Sequence, residues 1–230
     1  FFPSAWIDPE NRHPDPHRIV QPDDVRHGRL RPSPALAAAT GRDLDWLTEQ
    51  LIHYTMSLAT AGRDPLYLWP YHCLLGSPGH RLAGAVDEAR LFHGFAREAP
   101  NVPVTKGDHP LSERYSVFRE EVTTQFDGAP LAGAEPSQRL LDRLLGADRI
   151  VVAGLASSHC VRQSLADLLA EIRSRDAALA SRVYVLRDAT APVVVSGVAD
   201  FTDAAEAALT DFADAGMQVV STDRLTEEWS

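Results

Sequence analysis

The residues from Ile150 to about Arg175 join a strand pattern directly to a helix pattern, and this junction restricts the fold most. Ile150-Val-Val-Ala153 is a continuous apolar run of the kind found in strands that are covered on both faces. A turn of small residues follows, and a helical pattern begins near Cys160. At a helix N-terminus, backbone N–H groups and the helix dipole favour a thiolate over a thiol. Cys160 is therefore a candidate nucleophile, although free cysteines often only pack in a core.

Strand and helix patterns alternate along most of the chain. Apolar spacing predicts helices over about 43–59, 84–95, 137–145, 160–175 and 201–215, and strands over 66–69, 102–105, 150–153, 183–186 and 218–220. Such alternation predicts parallel strands with right-handed crossovers. We therefore expect a single α/β domain over 1–230, a three-layer α/β/α sandwich with a mainly parallel sheet. Seven prolines within 1–34 predict an irregular segment there.

Composition excludes several classes of protein. The 230 residues are 44% hydrophobic, which suffices for one sizeable core. A formal net charge of −10 offers no basic surface for nucleic acid. No apolar run approaches the ~20 residues of a membrane span, and no secretory signal is visible, so we expect no membrane partner. Cys73 and Cys160 lie far apart without CxxC spacing, which favours a reducing cytoplasm over a disulfide framework or zinc knuckle.

Three motifs would lie at the carboxyl ends of consecutive parallel strands. They are Trp69-Pro-Tyr-His-Cys-Leu-Leu-Gly-Ser-Pro-Gly79, Lys106-Gly-Asp-His-Pro-Leu-Ser-Glu-Arg-Tyr115-Ser-Val-Phe118 and Gly154-Leu-Ala-Ser-Ser-His-Cys160-Val161. In open α/β sheets, ligands bind outside this edge. In their order and content, the motifs resemble those of the isochorismatase-like cysteine hydrolases, and within them the nicotinamidase-related amidases. The resemblance spans about Phe1 to Thr222.

The resemblance implies a catalytic role for several residues of this chain. Cys160 would be the nucleophile, and Lys106 would be a second catalytic residue whose positive charge favours the thiolate. Without the motif, Lys106 would be taken for an ordinary surface lysine. The backbone N–H groups of Ala156 and Cys160 would form the oxyanion hole, next to a cis peptide bond at Leu155–Ala156. A thioester would form, and water would then hydrolyse it.

The resemblance also implies binding residues. Trp69 and Tyr115 match positions that flank the substrate ring, and their rings suit a flat heteroaromatic amide, although core packing explains them equally well. His72 matches a ligand for a divalent metal, Zn, Fe or Mn. The family pattern also requires an Asp-x-His pair shortly upstream of the Phe1-Phe-Pro segment, and the given sequence does not include that pair, so the predicted metal site is incomplete. We further expect a small-molecule amide as substrate and a homo-oligomer as the assembly.

In the family pattern, the Asp-x-His pair and the catalytic Asp both come before the position that matches Phe1. The given sequence does not include these residues. We therefore expect the domain to lack its first strand-helix-strand unit and the physiological protein to be longer. Two prolines keep His13 and His17 from sharing a helix face, so ordinary loop histidines explain them better than a metal site. Asp8 is expected to cap a turn, and Asp188 to have a structural role.

Three functions stay open at this point. The leading hypothesis is hydrolysis of a small carboxamide, such as nicotinamide, to the acid and ammonia through a thioester on Cys160. The alternative is a non-catalytic fragment or assembly subunit that retains the hydrolase scaffold. A thiol-sensor role ranks last, because the sequence places no resolving cysteine at a suitable spacing.

Overall fold

The computed structural model describes residues 1–99 and 103–227. Their contacts divide into two compact units, of which unit 1 comprises 1–111 with 125–127, and unit 2 comprises 112–124 with the residues from 128 onward. A single domain over 1–230 stays a prediction. No helix within the described ranges is both long enough and apolar enough to cross a membrane.

Unit 1 is built from short strands and helices. In chain order its described elements are β1 (Trp6–Ile7), β2 (Ile19–Val20), α1 (Pro22–Arg26), β3 (Arg31–Pro32), α2 (Pro34–Thr40), α3 (Leu44–Thr60), β4 (Leu66–Tyr67) and α4 (Gly84–Ala96). Helix α3 confirms the helix predicted over 43–59, and the Asp43 carboxylate caps it by accepting the N–H of Trp46 at 2.7 Å.

The proline-rich segment 1–34 packs more closely than its composition suggests. Pro22 and Pro34 open α1 and α2, where a proline removes no helical hydrogen bond. Trp6 is fully buried, and α1 and β3 both contact α3. The prolines therefore define the starts of short elements instead of leaving the segment without regular structure.

The strand predicted over 66–69 forms only as the two-residue β4, and its partner differs from the prediction. β4 pairs with β2 in antiparallel orientation. The ladder continues through Leu68, whose carbonyl accepts the N–H of His17 at 2.7 Å and whose N–H donates to Arg18 at 2.8 Å. The parallel pairing predicted for this strand is therefore wrong, because the proline-rich segment supplies a partner that lies far away in sequence.

The strand predicted over 102–105 is not found in the described part of that range. Val102 lies outside the described residues, and residues 103–105 have irregular backbone. Helix α4 confirms the helix predicted over 84–95, but none of its thirteen residues, all of them described, is buried. Val86, Phe92 and Phe95 are exposed on α4.

Unit 2 contains the parallel sheet. Its described elements are α5 (Gln138–Leu145), β5 (Ile150–Leu155), α6 (Cys160–Arg175), β6 (Val183–Ala191), β7 (Val194–Val195), β8 (Ala199–Asp200), α7 (Thr202–Asp214), β9 (Gln218–Val220) and α8 (Thr222–Glu227). Strands β5, β6 and β9 are parallel neighbours in that order. Both steps across the sheet run in one direction, so right-handed crossovers place α6 and α7 on the same face, and these helices are in contact. The predicted α/β fold with a parallel sheet is confirmed.

The core of unit 2 lies between this sheet and its helices. The buried apolar residues of α6 recur at steps of one, three and four, as expected for a helix that packs one face on a core; they are Val161, Leu165, Leu168, Leu169 and Ile172. Each such side chain contributes roughly 1.5–3 kcal/mol when fully buried. This packing fixes α6, and therefore its first residue, against the sheet.

Candidate active site

Cys160 is the first residue of α6, a helix of sixteen residues, and it follows β5 after a loop of four residues, 156–159. Its side chain is partly buried. The predicted position at a helix N-terminus is confirmed, and the role as nucleophile stays a prediction. Backbone dipoles in the first turn of a helix favour negative charge placed near that end.

The loop before Cys160 is held by backbone hydrogen bonds. The carbonyl oxygen of Ala156 accepts the N–H of His159 at 3.1 Å and the N–H of Val161 at 3.0 Å. The N–H of Ser157 donates to Ala191, at the end of β6, at 2.9 Å. The loop is therefore tied both to the start of α6 and to the neighbouring strand.

The end of β5 has special backbone geometry. A cis peptide bond joins Leu155 and Ala156, which confirms the bond that the resemblance implied. Gly154 has a φ of +110°, a conformation that L side chains rarely adopt. The hydroxyl of Thr190 donates to the carbonyl of Gly154 at 2.6 Å and links this turn of the chain to β6.

Tyr115 lies beside the Cys160 loop within unit 2. Its side chain is buried, and its ring centroid is 5.6 Å from that of His159, the residue before Cys160. The segment that carries Tyr115 is attached to α6 by Ser164, whose hydroxyl accepts the N–H of Val117 at 3.0 Å and donates to the carbonyl of Cys160 at 2.7 Å. The structure thus brings the predicted substrate residue Tyr115 close to the predicted nucleophile's loop.

A buried polar pair in this loop did not follow from the sequence. Ser158 and His159 are 1% and 6% exposed, and the hydroxyl of Ser158 is 2.9 Å from Nδ1 of His159. The only sign of this pair in the sequence is that His159 comes directly before the candidate nucleophile. Adjacency in sequence does not show in which direction the imidazole points.

The carboxylates of Glu113, Glu121 and Asp167 interact with one another near the backbone of Tyr115. Burial, together with the charges of Asp167 and Glu113, raises the pKa of Glu121 to about 7. The backbone N–H of Tyr115, which donates to Glu121, and the charge of Arg119 act in the opposite direction. Glu113 lies within the second motif, but no pattern in the sequence indicated that Glu113, Glu121 and Asp167 would lie close together.

In unit 1, the structure brings Trp69 and His72 together. The partly buried ring of Trp69 lies 4.5 Å from that of Tyr67 and 5.9 Å from that of His72, between centroids. His72 is exposed, and its Nδ1 donates to the carbonyl of Pro70 at 2.7 Å, since a carbonyl oxygen can only accept. In a neutral imidazole, the lone pair is then on Nε2, the nitrogen that could bind a metal.

The other candidates in unit 1 have separate surroundings. Lys106 is exposed in irregular backbone and precedes Gly107, which has a φ of +81°. His13 donates from Nδ1 to the carbonyl of Trp6 at 2.7 Å, and Nδ1 of His17 is 2.9 Å from the hydroxyl of Tyr67. The two histidines thus have structural hydrogen bonds within unit 1.

The predicted metal site needs further donor groups beside His72. Across 1–99 and 103–227, no group of three or more His, Cys, Asp or Glu side chains is arranged to hold a metal ion. The described residues around His72 therefore do not fit a metal site, and the chemistry proposed below uses no metal.

Two aspartates have the structural roles that were predicted. The Asp8 carboxylate accepts the N–H groups of Arg12 and Glu10, and the Arg12 N–H bond is the largest of the effects that lower its pKa. Asp188 accepts the hydroxyl and the N–H of Thr222, and the hydroxyl bond is the main cause of its lowered pKa. Asp8 therefore caps a turn, and Asp188 holds the start of α8.

Comparison with known proteins gives one curated relative, the nicotinamidase of Escherichia coli strain K12. It is 29% identical over 108 residues, which are 46% of this chain and 41% of that protein. The predicted resemblance to the nicotinamidases is confirmed. The chain thus spans less than half the length of this nicotinamidase, and no family model matches the chain.

Several solved structures of nicotinamidases and related proteins are also similar. The nicotinamidase–pyrazinamidase of Acinetobacter baumanii is 21% identical, with a TM-score of 0.42 over 70% of this chain and 63% of that one. Yeast nicotinamidase bound to nicotinaldehyde is 18% identical, with a TM-score of 0.45 over 69% and 61%. The pyrazinamidase of Pyrococcus horikoshii in complex with zinc is 21% identical, with a TM-score of 0.39 over 73% and 69%.

Proposed function

We propose that this chain carries the nucleophile of a cysteine-dependent amidase, which hydrolyses a small carboxamide such as nicotinamide to the carboxylic acid and ammonia. The observation that carries the proposal is the position of Cys160, a partly buried thiol on the first residue of a long helix that directly follows a parallel strand and its loop. At a helix N-terminus, backbone N–H groups can stabilise the negative charge that develops during acyl transfer. The similarity to a nicotinamidase supports a carboxamide as the substrate class.

In the proposed reaction, the sulfur of Cys160 attacks the carbonyl carbon of the amide and a C–S bond forms. The backbone N–H groups of Ala156 and Cys160 stabilise the resulting oxyanion. The C–N bond then breaks, and the nitrogen leaves as ammonia with the proton that the thiol gave up. Water attacks the thioester, the C–S bond breaks, and the acid and the thiol are released.

The other predicted residues keep supporting roles in this proposal. Lys106 as a second catalytic residue, and Trp69 and Tyr115 as residues that bind the amide, stay predictions from the family resemblance. His72 would remain a candidate metal ligand only. A small amide as the substrate, and a homo-oligomer as the assembly, complete the proposal.

The test is ammonia release from a panel of small amides, with nicotinamide first, in the presence and absence of a chelator. Cys160→Ala should abolish release while the circular dichroism spectrum stays unchanged. Cys73→Ala, which removes the other and exposed cysteine, is the matched control and should retain activity. Intact-mass measurement during turnover should show an acyl adduct on the wild-type protein and on Cys73→Ala, and not on Cys160→Ala.

Two results would overturn the proposal. Equal ammonia release by Cys160→Ala would eliminate the thiol mechanism. If the folded wild-type protein hydrolyses none of the amides, the non-catalytic scaffold becomes the better explanation of the chain.

A further inference from the structure

We propose that His159 is a positioning residue, which holds the Cys160 loop in place through Ser158 and two aromatic rings. The proposal rests on the proposed function in one respect, that Cys160 is the nucleophile. The family resemblance implied no role for His159, and the proposal gives this residue one in the chemistry of Cys160.

The first observation is a chain of hydrogen bonds inside the loop. The hydroxyl of Ser158 accepts the backbone N–H of Val193 at 3.0 Å and lies 2.9 Å from Nδ1 of His159. Because its oxygen already accepts from Val193, the Ser158 hydroxyl can direct its own proton to Nδ1. A neutral imidazole that accepts at Nδ1 carries its proton on Nε2. The residue before Cys160 is thereby connected to the segment between β6 and β7.

The second observation is the packing of the imidazole between two rings. Its centroid is 4.7 Å from that of Phe201 in an edge-to-face arrangement at 80°, and 5.6 Å from that of Tyr115 at 51°. Aromatic rings attract each other at such separations. Phe201 is the N-cap residue of α7, and Tyr115 belongs to the segment 112–124. The imidazole of His159 is therefore held by contacts from three parts of unit 2: the segment 112–124, the start of α7 and, through Ser158, the segment between β6 and β7.

The third observation links this side chain to Cys160. His159 is the N-cap residue of α6, with φ −132° and ψ −89°, and its N–H is bonded to the carbonyl of Ala156. A rotation about the backbone of His159 would turn the N–H and the sulfur of the next residue together. Fixing the imidazole therefore fixes the direction of both groups that the proposed reaction uses on Cys160.

The experiment measures the rate at which iodoacetamide alkylates Cys160, as a function of pH, in a Cys73→Ala background. His159→Leu and Ser158→Ala should each lower this rate about three- to tenfold, the range that corresponds to one net hydrogen bond. His159→Asn places an acceptor oxygen near the position of Nδ1 and should recover most of the rate. His80→Leu, at an exposed histidine, is the matched control and should react like the parent protein.

On an active protein, the same variants should lower kcat for nicotinamide by a similar factor and leave KM nearly unchanged, because they misdirect the nucleophile without removing a substrate contact. Wild-type alkylation rates and pH profiles in folded His159→Leu and Ser158→Ala would overturn the inference. If His159→Leu does not fold, Ser158→Ala decides: a wild-type rate overturns the inference, and a lowered rate supports it. A lowered alkylation rate in the variants, with no amide hydrolysis by the parent protein, would support positioning by His159 and refute the amidase.

Discussion

Replacing Glu121 by glutamine should stabilise the protein above neutral pH and have little effect at about pH 5. Burial raises the pKa of this carboxyl from its ordinary 4.5 to about 7, with the charges of Asp167 and Glu113 as further causes. Since one pKa unit corresponds to about 1.4 kcal/mol, ionising Glu121 in the folded state costs about 3 kcal/mol. Glutamine retains the shape of the side chain and an acceptor oxygen for the N–H of Tyr115, without the charge.

The sign of the effect follows from proton binding by Glu121. In the unfolded chain its carboxyl ionises near its ordinary pKa of 4.5, whereas in the folded protein it stays protonated up to about pH 7. Between these values the folded state binds more protons, so the free energy of unfolding of the wild-type protein falls as the pH rises. Above that window the wild-type protein has the full penalty and Glu121→Gln has none.

Urea unfolding, followed by circular dichroism at about pH 5 and about pH 8, gives the stability difference between variant and wild type at each pH. Glu88→Gln, which changes an exposed carboxyl on α4, is the matched control. The advantage of Glu121→Gln should grow by about 2–3 kcal/mol between the two pH values. A change in this advantage of less than about 0.5 kcal/mol is what a surface substitution would give. It would refute the inference that burial and neighbouring negative charges destabilise ionised Glu121.

Two further stability measurements probe α6 by the same urea assay. Ile172→Ala removes a fully buried side chain and should cost about 2–5 kcal/mol, whereas Arg173→Ala, at an exposed neighbour, should stay within about 0.5 kcal/mol; similar values for both would contradict the assigned core. Ser164→Ala removes the hydroxyl that donates to the carbonyl of Cys160 and should cost about 1–2 kcal/mol. Its control is Ser174→Ala on the exposed face of the same helix, and an equal cost for the two would show that the Ser164 link does not hold the segment.

Local patterns predicted the elements whose own residues determine them. The helix from Cys160 to Arg175 and the strand Gln218–Val220 were predicted with the boundaries that the structure has. Helix α6 has apolar residues at helical spacing that face a core, and β9 contains two consecutive valines that are partly buried in a parallel sheet. In both cases the information lies within a few consecutive residues.

Features that depend on distant residues could not be predicted in this way. The antiparallel partner of β4 is more than forty residues upstream, in a segment whose prolines gave no strand signal. The contacts of His159 with Phe201 and Tyr115 likewise join residues about forty positions apart. A motif can indicate that Cys160 is reactive, but the side chains that surround its loop follow from the folded chain.

Helix α4 differs from α6 in how it is held. Its residues are all at least partly exposed, Phe92 and Phe95 by 74% and 81%, whereas α6 buries an apolar face in the core of unit 2. The amide hydrogens of α4 can therefore exchange with solvent deuterium through local opening of that helix alone. Those of the buried turns of α6 exchange only when the packing around the sheet opens as well, so the two helices belong to different cooperative units of unfolding.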